Sequence, residues 1–257
     1  GLQHQRVSDG AHGTTPQASL VWTPDGPWRL KLMRGESFRD ADARERFSDA
    51  AFQLGRTDLA PEQGRIDAVE VGWDGGRLGA VARVFDQRIE DLIVLAPDAS
   101  GRLRFTNRGD ARVVGRELQL HWVSGGWRLD GSWRHLGRHE DTQAPRNLAK
   151  LQGLWSSAND WTAGVAIEAA DAAPLSSRLQ PPRAALNPPA RGYLLVDAHL
   201  EVPLARWWPQ GPAGSAVSLR WRNALDREVW QPTAAPPINT VPYVADRSLR
   251  IALRVPF

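Results

Sequence analysis

Ser248-Leu249-Arg250-Ile251-Ala252-Leu253-Arg254-Val255-Pro256-Phe257 closes the chain and decides its fold. Leu249, Ile251, Leu253, Val255 and Phe257 fall on one side of an extended chain, and Ser248, Arg250, Ala252, Arg254 and Pro256 on the other. Period two marks a strand with one apolar and one polar face, because successive side chains point to opposite sides. The pattern continues upstream. Val217, Leu219 and Trp221 alternate with Ser218, Arg220 and Arg222, and Leu194, Val196, Ala198, Leu200 and Val202 with Leu195, Asp197, His199 and Glu201. Trp161, Ala163, Val165 and Ile167 repeat it, as do Trp28, Leu30 and Leu32.

Read this way, the chain holds about eleven strands, near 16–23, 27–37, 65–73, 77–94, 104–122, 127–137, 147–156, 160–168, 192–204, 214–224 and 246–257. The stretch 40–54 mixes Ala, Arg, Glu and Phe at looser spacing and is placed in a loop. Connections alternate in length. Thr23-Pro24-Asp25-Gly26, Asp74-Gly75-Gly76, Ser124-Gly125-Gly126 and Ser157-Ala158-Asn159 are tight hairpin chemistry, joined by the Pro/Gly-bearing 205–213. The links 38–64, 95–103, 138–146, 169–191 and 225–245 are long. Short turns at one end and long loops at the other describe an outer-membrane β-barrel.

Tryptophan supports that layout. Of 12 Trp, Trp22, Trp28, Trp73, Trp122, Trp127, Trp155, Trp161, Trp207 and Trp208 flank the short turns. Indole suits a membrane–water boundary, its ring dry and its N–H wet. A girdle of Trp22, Trp28, Trp73, Trp127, Trp155, Trp161, Trp207 and Phe257 is therefore expected at the short-turn, periplasmic end. Parity alone does not say which face meets solvent. A passive porin and a soluble secreted β-sandwich that binds a ligand both stay open on these grounds.

Composition narrows the chemistry. There is no cysteine, hence no disulfide, thiolate metal site or cysteine nucleophile. A formal net charge of +3 argues against a nucleic-acid partner. The pI near 9.9 reflects the near-exclusive use of Arg; Lys occurs only at Lys31 and Lys150. Mean hydropathy is −0.42, a value that alternating barrel strands also produce. No run of about 18 apolar residues exists, so a transmembrane helix is excluded. Gly-x-Ser-x-Gly, P-loop, His-Glu-x-x-His and dinucleotide fingerprints are absent, so no enzyme and no cofactor is expected. His135 and His139, beside Glu140 and Asp141, are read as solvated loop residues, and no metal site is assigned. His121 and His199 are read as isolated polar residues of the inward face.

Several motifs carry a resemblance. Trp28-Arg29-Leu30-Lys31-Leu32-Met33-Arg34-Gly35-Glu36-Ser37-Phe38-Arg39 resembles the strand leading into Gly-x-(Ala/Ser)-Phe-Arg in TonB-dependent outer-membrane receptors. Leu59-Ala60-Pro61-Glu62 is similar to that family's Leu-x-Pro-Glu. Val84-Phe85 with Ile89-Glu90-Asp91-Leu92-Ile93 is similar to its Phe-x-x-x-Ile-x-Asp-x-Ile. Asn107-Arg108-Gly109-Asp110-Ala111 with Gly115-Arg116-Glu117-Leu118, and Asn223-Ala224-Leu225-Asp226-Arg227, resemble further family stretches. Leu225 and Val229-Trp230 stand where Phe and Tyr are usual, and Asp40 where Ala-Pro is usual.

The resemblance implies an all-β, antiparallel, up-and-down transmembrane barrel, present in part. Residues 1–257 would be its C-terminal portion, without plug domain or TonB box; a 22-strand barrel at this spacing needs about 500 residues. The start at Gly1 is read as the mark of a cut chain. The implied function is import of a scarce ligand, a ferric siderophore or similar metal chelate or small molecule, across the outer membrane of a Gram-negative bacterium. The implied partners are the inner-membrane TonB-ExbB-ExbD complex and outer-membrane lipid. Loop residues Arg39, Asp40, Asp42, Arg44 and Arg183 are ligand candidates by position, with Arg46, Arg178 and Asn187 beside them. Arg116, Glu117, Arg128, Asp197, Glu201, Arg220, Arg222, Arg250 and Arg254 are assigned to the lumen or plug-facing side.

Overall fold

The computed structural model describes residues 2–6, 12–50, 53–139, 143–174, 187–233, 240–244 and 246–256. Its elements are β1 (Leu2–Arg6), β2 (His12–Trp22), β3 (Trp28–Arg39), α1 (Ala43–Phe47), β4 (Asp49–Ala50), β5 (Gln53–Leu54), β6 (Glu62–Asp74), β7 (Leu78–Glu90) and β8 (Ile93–Pro97). They continue with β9 (Leu103–Asn107), β10 (Ala111–Ser124), β11 (Trp127–His139), β12 (Asn147–Ser156), β13 (Thr162–Ala170) and β14 (Tyr193–Pro203). β15 (Ala216–Arg222), β16 (Trp230–Pro232), β17 (Thr240–Pro242) and β18 (Ser248–Arg254) complete the chain.

Eleven of these strands form one antiparallel wall in the order β2-β3-β6-β7-β10-β11-β12-β13-β14-β15-β18, and β1 adds to the first half of β2. Each strand pairs with the next long strand in sequence, the up-and-down arrangement. The turns explain the pairing. Gly125 and Gly126 have φ of 56° and 83°, so both centres of the β10–β11 hairpin sit in the left-handed region that matches strand twist.

The rows across the wall are not level. The row starting at Trp28 runs through Trp73, Ala80, Leu120 and Gly131 to Leu151. Trp155, at the same turn end, lies four positions from Leu151 along β12. At about 3.4 Å per residue and 4.8 Å between strands, that offset corresponds to a strand tilt of roughly 30°, the slant that barrel closure requires.

One face of the wall carries Leu20, Leu32, Val69, Val84, Leu120, Leu151, Val165 and Ile251. It is exposed: Leu20 is 64% exposed and Ile251 69%. The soluble-sandwich reading needs a second sheet on this face, and among the described residues there is none. The other face is polar and concave, since a single cavity touches both Arg29 on β3 and Arg250 on β18.

The buried core sits at the long-loop end. β4, β5, β9 and β8 form a second, four-stranded sheet. Ala41, Leu59, Ile93 and Phe105 are buried together there, and Leu92, Val94 and Ala111 form a second cluster. This corrects three expectations. The segment 40–54 is not all loop: Asp42 caps α1 in a capping box with Glu45. The strands expected at 77–94 and 104–122 are each two strands. Asp91 has φ 55° and Gly109 has φ 74°, so the chain turns out of the wall there and builds β8 and β9. β16 and β17 form a further hairpin inside the 225–245 loop.

Candidate functional site: the concave polar face

Charge alternates across the middle of the concave face. Lys31 stands opposite Glu70, Glu70 opposite Arg83, Arg83 opposite Glu117, and Glu117 opposite Arg134. Five strands thus present +, −, +, −, + in one row, and opposite charges in register stabilise a sheet where like charges oppose it. Toward the short turns, Asp130 accepts from Arg128 Nε and contacts His121 Nδ1, both at 2.8 Å. On β12 and β13, Lys150 Nζ lies 2.9 Å from Glu168. The chain's two tyrosines meet at that carboxylate: Tyr193 donates to Glu168 at 2.6 Å, Tyr243 lies 3.5 Å away, and their rings are 6.0 Å apart.

The pattern breaks at β14, β15 and β18. His199 faces Arg220, and Arg220 faces Arg250 directly. Arg222 follows on the same face. None of these three arginines has a carboxylate within ion-pair distance among the described residues. Nearby Asp197 accepts from the Asn223 backbone at 2.8 Å, and Glu201 is paired with Arg254 at 2.9 Å. The cavity is about 1260 Å³, and Lys150, Glu168, Asp197, Arg222, Tyr243 and Arg250 line it.

Glu117, Arg128, Asp197, Glu201, Arg220, Arg222, Arg250 and Arg254 share the concave face. Arg116 does not, and its assignment is corrected. It is adjacent to Glu117 and therefore points the other way, opposite Val84 and His135, with its guanidinium 5.2 Å from the Trp133 ring centre.

Four of the loop candidates lie together beside the four-stranded module, where their charges are engaged within the protein; Arg39 is not in a loop but ends β3. Arg39 donates to Glu62 at 2.8 Å and to both oxygens of Glu45 at 2.8 and 3.1 Å. Asp40 pairs with Arg46, Asp42 caps α1, and the Arg44 guanidinium lies 5.7 Å from the Phe105 ring. Asn187 donates to the Thr240 carbonyl at 2.7 Å. Arg178 and Arg183 lie outside the described residues, as do Phe257, Glu140, Asp141 and the His139 side chain.

Of the expected girdle, Trp28 faces Trp73, Trp127 faces Trp155 with ring centres 6.2 Å apart, and Trp161 packs on Trp207 at 5.8 Å. Trp22 stands beside Leu30 on the same convex face. The Tyr–Glu–Lys cluster escaped the sequence reading, since strand register joins positions 150, 168 and 193, and the loop after β17 brings in position 243. The scarcity of Tyr was the one signal that could have flagged it.

A polar, curved wall with long loops at one end and an apolar outer face is the architecture of a transport barrel. The family model described as TonB dependent receptor-like, beta-barrel matches residues 1–223, and the chain belongs to that family. No curated protein matches the sequence. Among solved structures, the FrpB iron transporter from Neisseria meningitidis (F3-3 variant) is 16% identical, with TM-score 0.68 over 95% of this chain and 39% of that one. The copper transporter OprC is 17% identical, with TM-score 0.66 over 96% and 40%. The ferripyoverdine receptor of the Pseudomonas aeruginosa outer membrane, bound to ferripyoverdine, is 16% identical, with TM-score 0.68 over 95% and 33%. The chain thus spans about a third to two-fifths of the length of these structures. The family is one of receptors and transporters in the outer membrane of Gram-negative bacteria, and this wall belongs there.

Proposed function

We propose that residues 1–257 form the C-terminal part of the wall of a receptor that imports a scarce anionic ligand, of the ferric-siderophore type, energised through a TonB-ExbB-ExbD complex. The observation that carries this reading is the group of three arginines, Arg220, Arg222 and Arg250, without a carboxylate partner among the described residues; Arg222 and Arg250 line the cavity and Arg220 faces Arg250 across the strand pair. A cationic patch on a low-dielectric wall focuses field lines and raises the local concentration of anions. The names of three structural relatives, an iron transporter, a ferripyoverdine receptor and the siderophore receptor PiuA from Acinetobacter baumannii, point the same way. Trp22, Trp28, Trp73, Trp127, Trp155, Trp161 and Trp207 serve as the periplasmic girdle in this reading. Arg39, Asp40, Asp42 and Arg44 act on ligand through the rigid shape of their loop more than by direct contact.

The test is an Arg220→Gln, Arg222→Gln double variant of the full-length receptor. Uptake of radiolabelled ferric siderophore in cells should fall about tenfold or more, with normal amounts of folded barrel in the membrane. Uptake at the wild-type rate overturns the assignment of these arginines. Uptake that persists when the TonB complex is deleted supports a passive channel instead.

A further inference from the structure

Arg116 is on the convex face, in the apolar row Leu32, Val69 and Val84, next to a charged group of Arg34, Asp67, Asp86 and Arg112 on the loop side. Its strand neighbours there are Val114 and Leu118, and Val84 and His135 lie opposite. The acids nearby are already used. Asp67 is paired with Arg65 at 2.8 Å and Arg34 at 3.8 Å, and Asp86 with Arg112 and Arg88 at 2.5 and 3.3 Å. Among the described residues Arg116 has the Trp133 ring and no carboxylate. A cation facing lipid is costly unless it reaches the interface or an anion.

A shallow groove of about 900 Å³ runs across the strands beside it. Leu20, Leu32, Val69 and Val84 line it on one side and Arg34, Asp67 and Asp86 on the other. Leu20, Leu32, Val69, Val84 and Arg116 line it and share the convex face by register, so the groove opens on that face. Arg116 and His135 stand at its far end, six and eight positions from Trp122 and Trp127 along their strands. That end points toward the long loops, which in this family face outward.

We propose that this groove holds one phosphate-bearing lipid of the outer leaflet, its acyl chains along the apolar row and its phosphate on the Arg116 guanidinium. The apolar row matches hydrocarbon, and a guanidinium without an acidic partner matches a phosphate, which it can bind with two parallel N–H donors. Trp133 holds the guanidinium from beneath by its π-face. The proposal rests on the lipid-facing reading of the convex face. No uptake is measured in its test, so its failure is separable from failure of the transport reading.

The full-length receptor, folded as judged by heat-modifiable electrophoretic mobility, is titrated with dimyristoyl phosphatidic acid, dimyristoylglycerol or myristic acid and followed by native mass spectrometry. Wild type should retain phosphatidic acid about tenfold more tightly than dimyristoylglycerol, and Arg116→Gln should abolish the difference, with Arg116→Lys between. Equal retention by wild type and R116Q overturns the proposal, as does myristic acid binding as tightly as phosphatidic acid. A second measurement does not depend on the charge variants folding. Bromine-labelled phosphatidic acid should quench wild-type tryptophan emission more than that of Trp133→Phe, and equal quenching counts against the site.

Discussion

The Phe85 ring lies over Gly115 across the β7–β10 pair so closely that a Cβ on Gly115 would stand 2.6 Å from Phe85 Cζ and 2.9 Å from Leu136 Cδ2. Gly115 is thus the gap into which two side chains of the concave face pack, beside the bulge between Val114 and Gly115. Gly115→Ala should overpack this point and cost about 1–3 kcal/mol. A lowered denaturation midpoint of the full-length barrel reports it, and Phe85→Leu on the same background should recover part of the loss.

Asn107 is the staple between the two outer loops. It accepts from Ala60 N at 2.8 Å and donates to the carbonyls of Ala60 and Asp91 at 2.9 and 2.6 Å. Asn107→Ala removes all three bonds, at about 0.5–1.5 kcal/mol each. Hydrogen exchange at Ala60 and around β8 should speed up about tenfold or more, while the wall strands stay protected.

The turn joining β8 to β9 should loosen in acid. The Ser100 hydroxyl, then the backbone N–H groups of Ser100 and Arg102, hold the Asp98 carboxyl below its usual value. A folded pKa below the unfolded one stabilises above the ordinary carboxylate range, near 4, and is lost as pH falls through the folded value. Ser100→Ala should raise the Asp98 titration toward 4, read by carboxyl-carbon NMR shifts. An unmoved titration would remove Ser100 as the cause.

The Trp127–Trp155 pair should be coupled. A double-mutant cycle to Leu should give about 0.5–1.5 kcal/mol of interaction beyond the single losses. In the girdle reading, lipid brominated near the headgroup should quench these two indoles more than lipid brominated at the chain end. The reverse order would place them in mid-bilayer.

Much of the wall was legible without coordinates. Period two put Leu249, Ile251 and Leu253 on one face and Arg250 and Arg254 on the other, and the Gly and Asp turns separated strand from strand. Eleven wall strands were expected and eleven are paired. Arg116 was misplaced although its neighbour Glu117 already excluded it, because adjacent residues of a strand cannot share a face. The breaks at Asp91 and Gly109 were not legible, since Ile93-Val94 and Arg104-Phe105-Thr106 read as more of the same strands.

Alternation, turn chemistry and the place of each tryptophan are local properties, set by bond geometry within a few residues, and the sequence alone determined them. Partnership is not local. That Arg220 meets Arg250, that Tyr193 and Tyr243 converge on Glu168, and that residues 41 and 105 share one small core follow from strand register and loop packing between segments far apart in the chain. Only the tertiary structure decided which charges are cancelled inside the wall and which are left without a carboxylate among the described residues.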